Sequence, residues 1–312
     1  MRVVSRRSIA AAATVLLAAA AASFFASPGS AATPSWSSAC GQTATAFNSL
    51  DRFALASTAR GNGPREPSFS QTVENPGAQQ GRGRGFSATV PVYVHVVTPD
   101  GVTGNLPDRI IRDQIRVLNS TFGGFEGGFA TGFDFTLAGI TRTVNAAWFN
   151  AGPGNDERAM KRALHQGGDN ALNMYLTTAG PYLGWAYLPD IVNHGNAYLD
   201  GIVINWETLP GASTTWQGRY DQGETATHEA GHWLNLEHTF FGGCNAHGDY
   251  VDDTPAQSSS TNGCPEGRDS CSLPGLDPIH NYMDYSYDQC YTEFTQGQTL
   301  RMQDAWLFYR AP

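Results

Sequence analysis

The 312-residue chain is short of basic charge and has no apolar run long enough to span a bilayer comfortably. Lys and Arg total 19 against 28 Asp and Glu, which gives a formal net charge of −9. This balance argues against nucleic acid or an anionic membrane as a partner. The chain also lacks a Cys-x-x-Cys pair and any long internal repeat. We therefore expect one substantial globular domain, monomeric, with appended segments.

The first 32 residues have the features of an export signal. Arg2, Arg6 and Arg7 precede an Ala/Leu-rich run at 9–22, and small residues follow at 30–32. This order of charged, apolar and small residues is typical of a secretory signal peptide, and the paired arginines fit a twin-arginine signal equally well. Removal of residues 1–32 would leave a secreted, extracellular protein.

Residues 33–85 are rich in Gly, Pro and Gln and look unlike a packed domain. We interpret them as a pro-segment and linker, and residues 86–312 as the main folded domain. The pro-segment contains Cys40, which is remote from the other four cysteines. An odd cysteine in an exported chain can be a spare thiol, an intermolecular partner or a metal-binding thiolate.

The most informative segment is a His-Glu-x-x-His sequence, His228 to His232, followed by His238. On a helix, His228 and His232 are one turn apart and project from the same face, so both can bind one zinc ion. Glu229 lies beside them as a general base, and His238 follows the helix as a third ligand. Three ligands leave the fourth position for water, as in catalytic rather than structural zinc sites. These residues predict a zinc hydrolase and assign 86–312 as its catalytic domain.

A second signature, His-Asn-Tyr-Met-Asp-Tyr, follows at 280–285. Together with the long zinc motif it resembles the Met-turn of metzincins. The sequences at 227–240, 248–255 and 281–285 narrow the resemblance to the pappalysin-like, or cytophagalysin, family of secreted metalloproteases. The resemblance extends over most of the chain, from Val90 to Arg310.

The resemblance implies an α+β metzincin (zincin) fold, with a twisted mixed β-sheet, backing helices, an active-site helix and a small irregular disulfide-linked C-terminal subdomain. It implies that Met283 forms an apolar floor under the zinc, and that Tyr285 binds the oxyanion of the reaction or approaches the metal. It also implies that Cys40 can fill the fourth zinc position and keep the pro-form latent. The chain departs from the family at Asn235, where Gly is usual. Asn tolerates a left-handed backbone best after Gly, so we expect that turn to be kept.

Four cysteines, Cys244, Cys264, Cys271 and Cys290, cluster in the last quarter of the chain. In an oxidising compartment they are expected to form disulfides, and three pairings are possible. The resemblance favours the crossed pairing, Cys244–Cys271 and Cys264–Cys290. Such links would restrain the loop-rich segment 241–292.

An acidic loop offers the oxygen ligands that calcium prefers. It contains Asp249, Asp252, Asp253 and Thr254. Because relatives carry calcium near the cleft, the resemblance implies at least one calcium ion here. A solvated acidic loop is the alternative.

Hydrophobic periodicity predicts an alternation of strands and helices. The predicted strands are 90–97, 133–141, 171–176 and 200–205, and the predicted helices are 108–122, 157–165, 222–234 and one that a capping box of Thr295 and Gln298 opens, ending near Arg310. By resemblance, strand 200–205 would be the sheet edge that pairs with an extended substrate. We interpret the remaining histidines of the folded domain as structural: His95, His165, His194, His247 and His280.

The predicted function is a zinc-dependent endopeptidase that hydrolyses internal bonds of polypeptide substrates, with Glu229 as general base. One alternative is a zinc hydrolase of a narrow substrate, such as a cell-wall peptide. The other is a secreted binding module without catalysis, which Glu229 disfavours. Some relatives select a basic residue after the cleaved bond through an acid beside the last cysteine. Gln289 occupies that place here, after Asp288, so strict selectivity for Arg or Lys is not expected.

Overall fold

A computed structural model describes residues 85–245 and 247–312, except the side chains of residues 192–194. The signal peptide predicted at 1–32, Cys40 and almost all of the pro-segment predicted at 33–85 lie outside the described residues. No helix in the described ranges is long and apolar enough to cross a membrane.

The domain is built around a five-stranded sheet. Its strands are β1 (Ala88–Thr98), β2 (Phe133–Val144), β3 (Leu172–Thr177), β4 (Gly184–Ala186) and β5 (Ile202–Asn205). They follow the order β2-β1-β3-β5-β4, and only β4 is antiparallel to its neighbour. The four predicted strands correspond to β1, β2, β3 and β5. The periodicity missed β4, because three residues that begin with glycine are too short to show alternation.

The prediction that strand 200–205 forms the substrate-binding edge is wrong. β5 is covered on both sides, by β3 and by β4. The sheet therefore ends at β4, whose outer side has no strand partner among the described residues. The misplacement has a simple cause, since an edge cannot be located in a sequence when the outermost strand is not recognised.

Helices cover the sheet on both faces. They are α1 (Asp108–Phe122), α2 (Ala146–Phe149), α3 (Asn155–Leu164), α4 (Glu224–Trp233) and α5 (Gln296–Ala305), with short 3-10 turns at Pro189–His194, Ala197–Leu199, Trp206–Thr208 and Asp288–Cys290. The predicted capping box is present, because Gln298 N donates to Thr295 Oγ1 and Thr295 N donates to Gln298 Oε1. The helix that it opens ends at Ala305, and a wider π-type turn, Trp306–Arg310, completes the predicted length.

The apolar face of α1 packs with α4 and the sheet in the larger of two buried clusters, and the second cluster lies around Trp185 and Tyr175. Apolar residues of α4 and of the sheet are buried against each other, and this burial holds α4 in place. Beyond α4 the chain is irregular up to α5. The structure joins Cys244 to Cys271 and Cys264 to Cys290, with Cα–Cα distances of 5.4 and 5.8 Å, which is the pairing that the resemblance implied. The fold is α+β, as predicted.

Candidate active site

The central element of the site is α4, which carries His228, Glu229 and His232 and is buried along its whole length. Gly223 precedes it with φ 102°, a left-handed conformation that suits glycine. The Gly223 carbonyl accepts a hydrogen bond of 2.9 Å from Gln114 Nε2 of α1. The start of the helix is therefore anchored to the core.

A tight turn after α4 directs the chain back toward the third histidine. Leu236 N donates to Gly231 O at 2.9 Å, and Asn235 has φ 77°. The expected left-handed turn is therefore kept with Asn in place of the usual Gly. Asn235 is fully buried, and neither polar atom of its side chain has a hydrogen-bond partner among the described residues.

Replacing Asn235 by Gly should stabilise the fold by about 1 kcal/mol, because it removes two buried unsatisfied polar atoms and the left-handed strain. The gain is limited by the packing that the side chain loses. Thermal unfolding of zinc-free protein measures it. Asn235→Ala is the matched control: it removes the same amide but keeps a Cβ at positive φ, so it should be less stable than Asn235→Gly. A glycine variant that unfolds below the wild type would contradict this account.

The three histidines converge on one point. His232 Nε2 lies 3.1 Å from His228 Nε2 and 3.1 Å from His238 Nε2. The opposite ring nitrogens of two of them face carbonyl oxygens: His228 Nδ1 lies 2.5 Å from Tyr282 O, and His232 Nδ1 lies 2.7 Å from Leu236 O. A carbonyl can only accept, so these Nδ1 atoms carry the protons and the Nε2 lone pairs point at each other.

Such an arrangement fits a bound cation. Zinc takes neutral histidine nitrogens at about 2.0–2.1 Å, and carbonyl-oriented imidazoles are its usual ligands. Within the described ranges, this is the only group of three or more His, Cys, Asp or Glu side chains close enough to share one metal ion. The donor set and its geometry therefore fit zinc.

The segment 280–285 lies directly beneath α4. Met283 is fully buried, and its sulfur packs so closely against Gly231 that any Cβ at that position would overlap it. Met283 N is held by Asn281 Oδ1 at 3.0 Å, and Met283 O accepts from Thr239 N at 3.2 Å. The structure thus packs Met283 against Gly231, which lies between His228 and His232 in the sequence of α4, and ties it to the chain just past His238.

Tyr285 is half-buried beside the histidines. Its ring centroid lies 5.7 Å from that of His228 and 5.0 Å from that of His238. Phe240 stacks on His238 at 4.6 Å and meets Tyr285 edge-on at 5.0 Å. Phe240 and Tyr285 thus pack against the histidines as a small aromatic wall. Phe240 was not predicted from the sequence to belong to the site.

Glu229 is buried, and its carboxylate faces the edge strand. An added Cβ at Gly184 of β4 would lie 2.8 Å from Glu229 Oε1 and 2.9 Å from Glu229 Cγ. Position 184 therefore has room only for glycine when Glu229 keeps this rotamer. A single glycine in an unrecognised strand offered no signal in the sequence, so Gly184 was missed as part of the site.

Two carboxylates of the acidic loop, Asp249 and Asp253, accept hydrogen bonds from other residues of the protein. Asp249 Oδ1 accepts from Thr254 Oγ1 at 2.6 Å and from Val251 N at 3.1 Å. Asp253 accepts from Thr295 Oγ1 and from Gly297 N, 2.7 and 2.8 Å away, and so caps the start of α5. Asp252 is exposed. These side chains do not form a second metal-binding group of three in the described part of the chain.

A pair of buried carboxyl groups joins the start of α4 to the segment after Tyr285. Glu224 and Asp288 are hydrogen-bonded to each other, and Asp288 Oδ2 also accepts from Gln222 N at 2.8 Å. Burial, and then the charge of Asp288, raise the pKa of Glu224, and burial raises the pKa of Asp288. The pair therefore keeps a proton that exposed carboxyls would release.

This retained proton should make the fold less stable as pH rises. Above the unfolded carboxyl pKa the unfolded chain releases the proton and the folded protein keeps it, so stability falls with increasing pH. Glu224→Gln removes the titrating proton. Between pH 5 and pH 7 the wild type should lose on the order of 2 kcal/mol more stability than the variant, because each pH unit costs about 1.4 kcal/mol for one retained proton.

Urea unfolding of the zinc-free protein at both pH values measures this difference. Asp134→Asn, at an exposed carboxyl of β2, is the control and should follow the wild type. Equal pH dependence of the wild type and Glu224→Gln would show that the pair carries no extra proton.

These features define an α+β metallohydrolase with a three-histidine zinc site. The family model Peptidase_M43, described as pregnancy-associated plasma protein-A, matches residues 184–306. An extracellular metalloprotease of Podospora anserina is 49% identical over 228 residues, covering 71% of this chain and 74% of that protein. Extracellular metalloprotease 1 of Coccidioides posadasii is 43% identical over 254 residues, covering 78% and 88%.

Solved structures agree with this result. Mature mirolysin of Tannerella forsythia, in complex with a cleaved peptide, is 30% identical with a TM-score of 0.60, and the match covers 70% of this chain and 91% of that one. The chain belongs to the pappalysin-like family of metzincin metalloproteases. It is a secreted zinc metalloendopeptidase that acts on polypeptides, and neither the narrow-substrate hydrolase nor the binding module is favoured.

Proposed function

We propose that His228, His232 and His238 hold the zinc ion of this endopeptidase and that Glu229 is its general base. The observation that carries this assignment is the convergence of three Nε2 atoms whose neighbours are 3.1 Å apart, beside a buried glutamate. When bound, zinc supplies a Lewis acid that polarises the scissile carbonyl and activates a water molecule.

Residues around the three histidines have the remaining roles in the reaction. Glu229 accepts the proton of the attacking water and passes it to the leaving amine. The Tyr285 hydroxyl donates a hydrogen bond to the negative charge that develops on the carbonyl oxygen. Met283 supports the histidines from below. The outer side of β4, next to Glu229, pairs with an extended polypeptide in the manner of an added strand.

A cleavage experiment tests these assignments together. Wild type and Glu229→Ala, both without residues 1–85, are incubated with denatured proteins, with and without a chelator, and new termini are mapped by mass spectrometry. Cuts at internal bonds that vanish with the variant and with the chelator are expected. Internal cuts that persist in zinc-loaded Glu229→Ala would remove Glu229 from the catalytic role.

The same termini report the preference around the cleaved bond. Gln289 is exposed, and Asp288 is buried with its carboxyl bonded to Glu224 and Gln222 N. With no exposed carboxylate at either position, we expect cuts before several residue types. Cuts found only before Arg or Lys would contradict this expectation.

Latency through Cys40 stays a prediction, since that residue lies outside the described ranges. It is supported by a relative, because promirolysin of Tannerella forsythia is 29% identical with a TM-score of 0.60, and its name denotes a pro-form. If residues 1–32 direct export and 33–85 inhibit, secreted full-length Cys40→Ala should cleave substrate without maturation. If the variant is as inactive as the full-length wild type, the Cys40 thiolate does not cause latency.

Calcium in the acidic loop also stays a prediction. Asp249 Oδ2 supports calcium binding, because this buried oxygen has no hydrogen-bond partner among the described residues and could serve as a ligand. Burial raises the pKa of this carboxyl to about 7, and a bound cation would reverse that effect. An increase in Tm with added calcium, absent in Asp249→Asn, is expected if the ion binds here.

A further inference from the structure

The last turn of α4 leaves carbonyl groups that the helix cannot satisfy, as every helix end does. Two are bonded by the backbone of the following turn: Gly231 O accepts from Leu236 N, and His232 O accepts from Asn235 N, both at 2.9 Å. Trp233 O and Asn235 O receive arginine side chains instead. Both arginines come from the chain around α5.

Arg310 is buried, and all five of its N–H groups have acceptors. Nε and Nη2 donate to Trp233 O at 3.1 and 2.8 Å. Nη1 donates to Asp169 O and to Asp200 Oδ2, and Nη2 also donates to Asp200 Oδ1, each at 2.9 Å. The guanidinium carbon lies 3.6 Å above the Trp233 ring, whose Nε1 donates to Asp200 Oδ2 at 2.9 Å.

Arg301 acts two residues further along the same turn. Its Nε donates to Asn235 O at 2.7 Å, and the side chain is buried. The next carbonyl in the chain, Leu236 O, is the acceptor for His232 Nδ1. The peptide that Arg301 holds is therefore adjacent to the carbonyl that orients a zinc ligand.

We propose that Arg301 and Arg310 are positioning residues for the zinc site, because they hold the turn after α4 and thereby fix the orientation of His232. A cation is favoured at a helix C-terminus, and Asp200 compensates the buried charge of Arg310. Groups that orient metal ligands from outside the coordination sphere commonly influence metal affinity. The inference rests on the proposed role of the three histidines in binding zinc.

The contacts of Arg310 with Trp233 and Asp200, here called the clamp, depend on the planar shape of the guanidinium and not on its charge alone. One face of the guanidinium stacks on Trp233 while its edges serve Trp233 O and Asp200 at once, which a lysine ammonium cannot reproduce. Arg310→Lys keeps the charge and removes the planar shape. Arg109→Lys is the matched control, since Arg109 is 73% exposed on α1 and pairs with nearby Asp113.

The test measures zinc affinity by chelator competition and the visible spectrum of the cobalt-substituted protein. We expect Arg310→Lys to weaken zinc binding about 10-fold and to alter the cobalt spectrum, as loss of outer-sphere support does. Arg109→Lys should match the wild type in both. If Arg310→Lys does not fold, the nearly isosteric Asp200→Asn, which weakens the same clamp, is measured in its place.

Unchanged zinc affinity and an unchanged cobalt spectrum, together with a lower Tm of the zinc-free variant, would overturn the proposal and leave Arg310 a stabilising residue only. Failure of the wild type itself to bind zinc through the histidines would instead overturn the proposed function. The two failures are therefore distinguishable in one set of measurements.

Discussion

Glu229→Gln should bind zinc with wild-type affinity, fold normally and lose about 10²- to 10⁴-fold in kcat, the range that general acid–base catalysis contributes. The amide keeps the shape of the buried side chain against Gly184, so the edge strand β4 is preserved. It cannot accept the proton of the attacking water. KM for an extended peptide should therefore change little, and steady-state kinetics of the zinc-loaded variant measure both parameters.

Asp134→Asn is the control for Glu229→Gln. It makes the same carboxyl-to-amide change at an exposed position on β2, at the opposite edge of the sheet from β4. The control should keep wild-type kcat. Near-wild-type kcat in Glu229→Gln would mean that another group moves the proton.

His238→Ala should weaken zinc binding by more than about 100-fold, because even outer-sphere partners of a metal ligand commonly contribute 10- to 100-fold. The variant should also lose the increase in Tm that zinc gives the wild type, since a ligand that binds only the folded state stabilises it. Chelator competition and thermal unfolding with and without zinc test both expectations.

His247→Ala is the matched control, because His247 is an exposed histidine of the same irregular segment and lies outside the histidine group. Its zinc affinity should equal that of the wild type. If His238→Ala binds zinc as tightly as His247→Ala, His238 is not a ligand.

The sequence was most informative where chemistry requires particular residues at fixed spacing. The His-Glu-x-x-His segment needs only a helix to bring His228 and His232 together, and the structure provides it as α4. The left-handed conformation at Asn235 followed from the backbone that this turn requires. β1 and β5 were predictable because buried runs rich in β-branched residues are distinctive.

Features that depend on contacts between distant segments could not be predicted from the sequence. β4 is three residues long, so its place at the sheet edge, and the approach of Gly184 to Glu229, had no local signal. The Glu224–Asp288 pair joins residues 64 positions apart, and Arg310 reaches Trp233 from 77 positions away. Such pairs are determined by packing, which a pattern along the chain does not report.

X-ray diffraction from crystals of the zinc-loaded protein, collected above and below the zinc absorption edge, would locate the metal ion directly. We expect one strong anomalous peak about 2.0–2.1 Å from Nε2 of His228, His232 and His238, the distance that zinc takes to histidine nitrogen. A peak bound by other residues, or none at the histidines in crystals of active enzyme, would contradict this expectation.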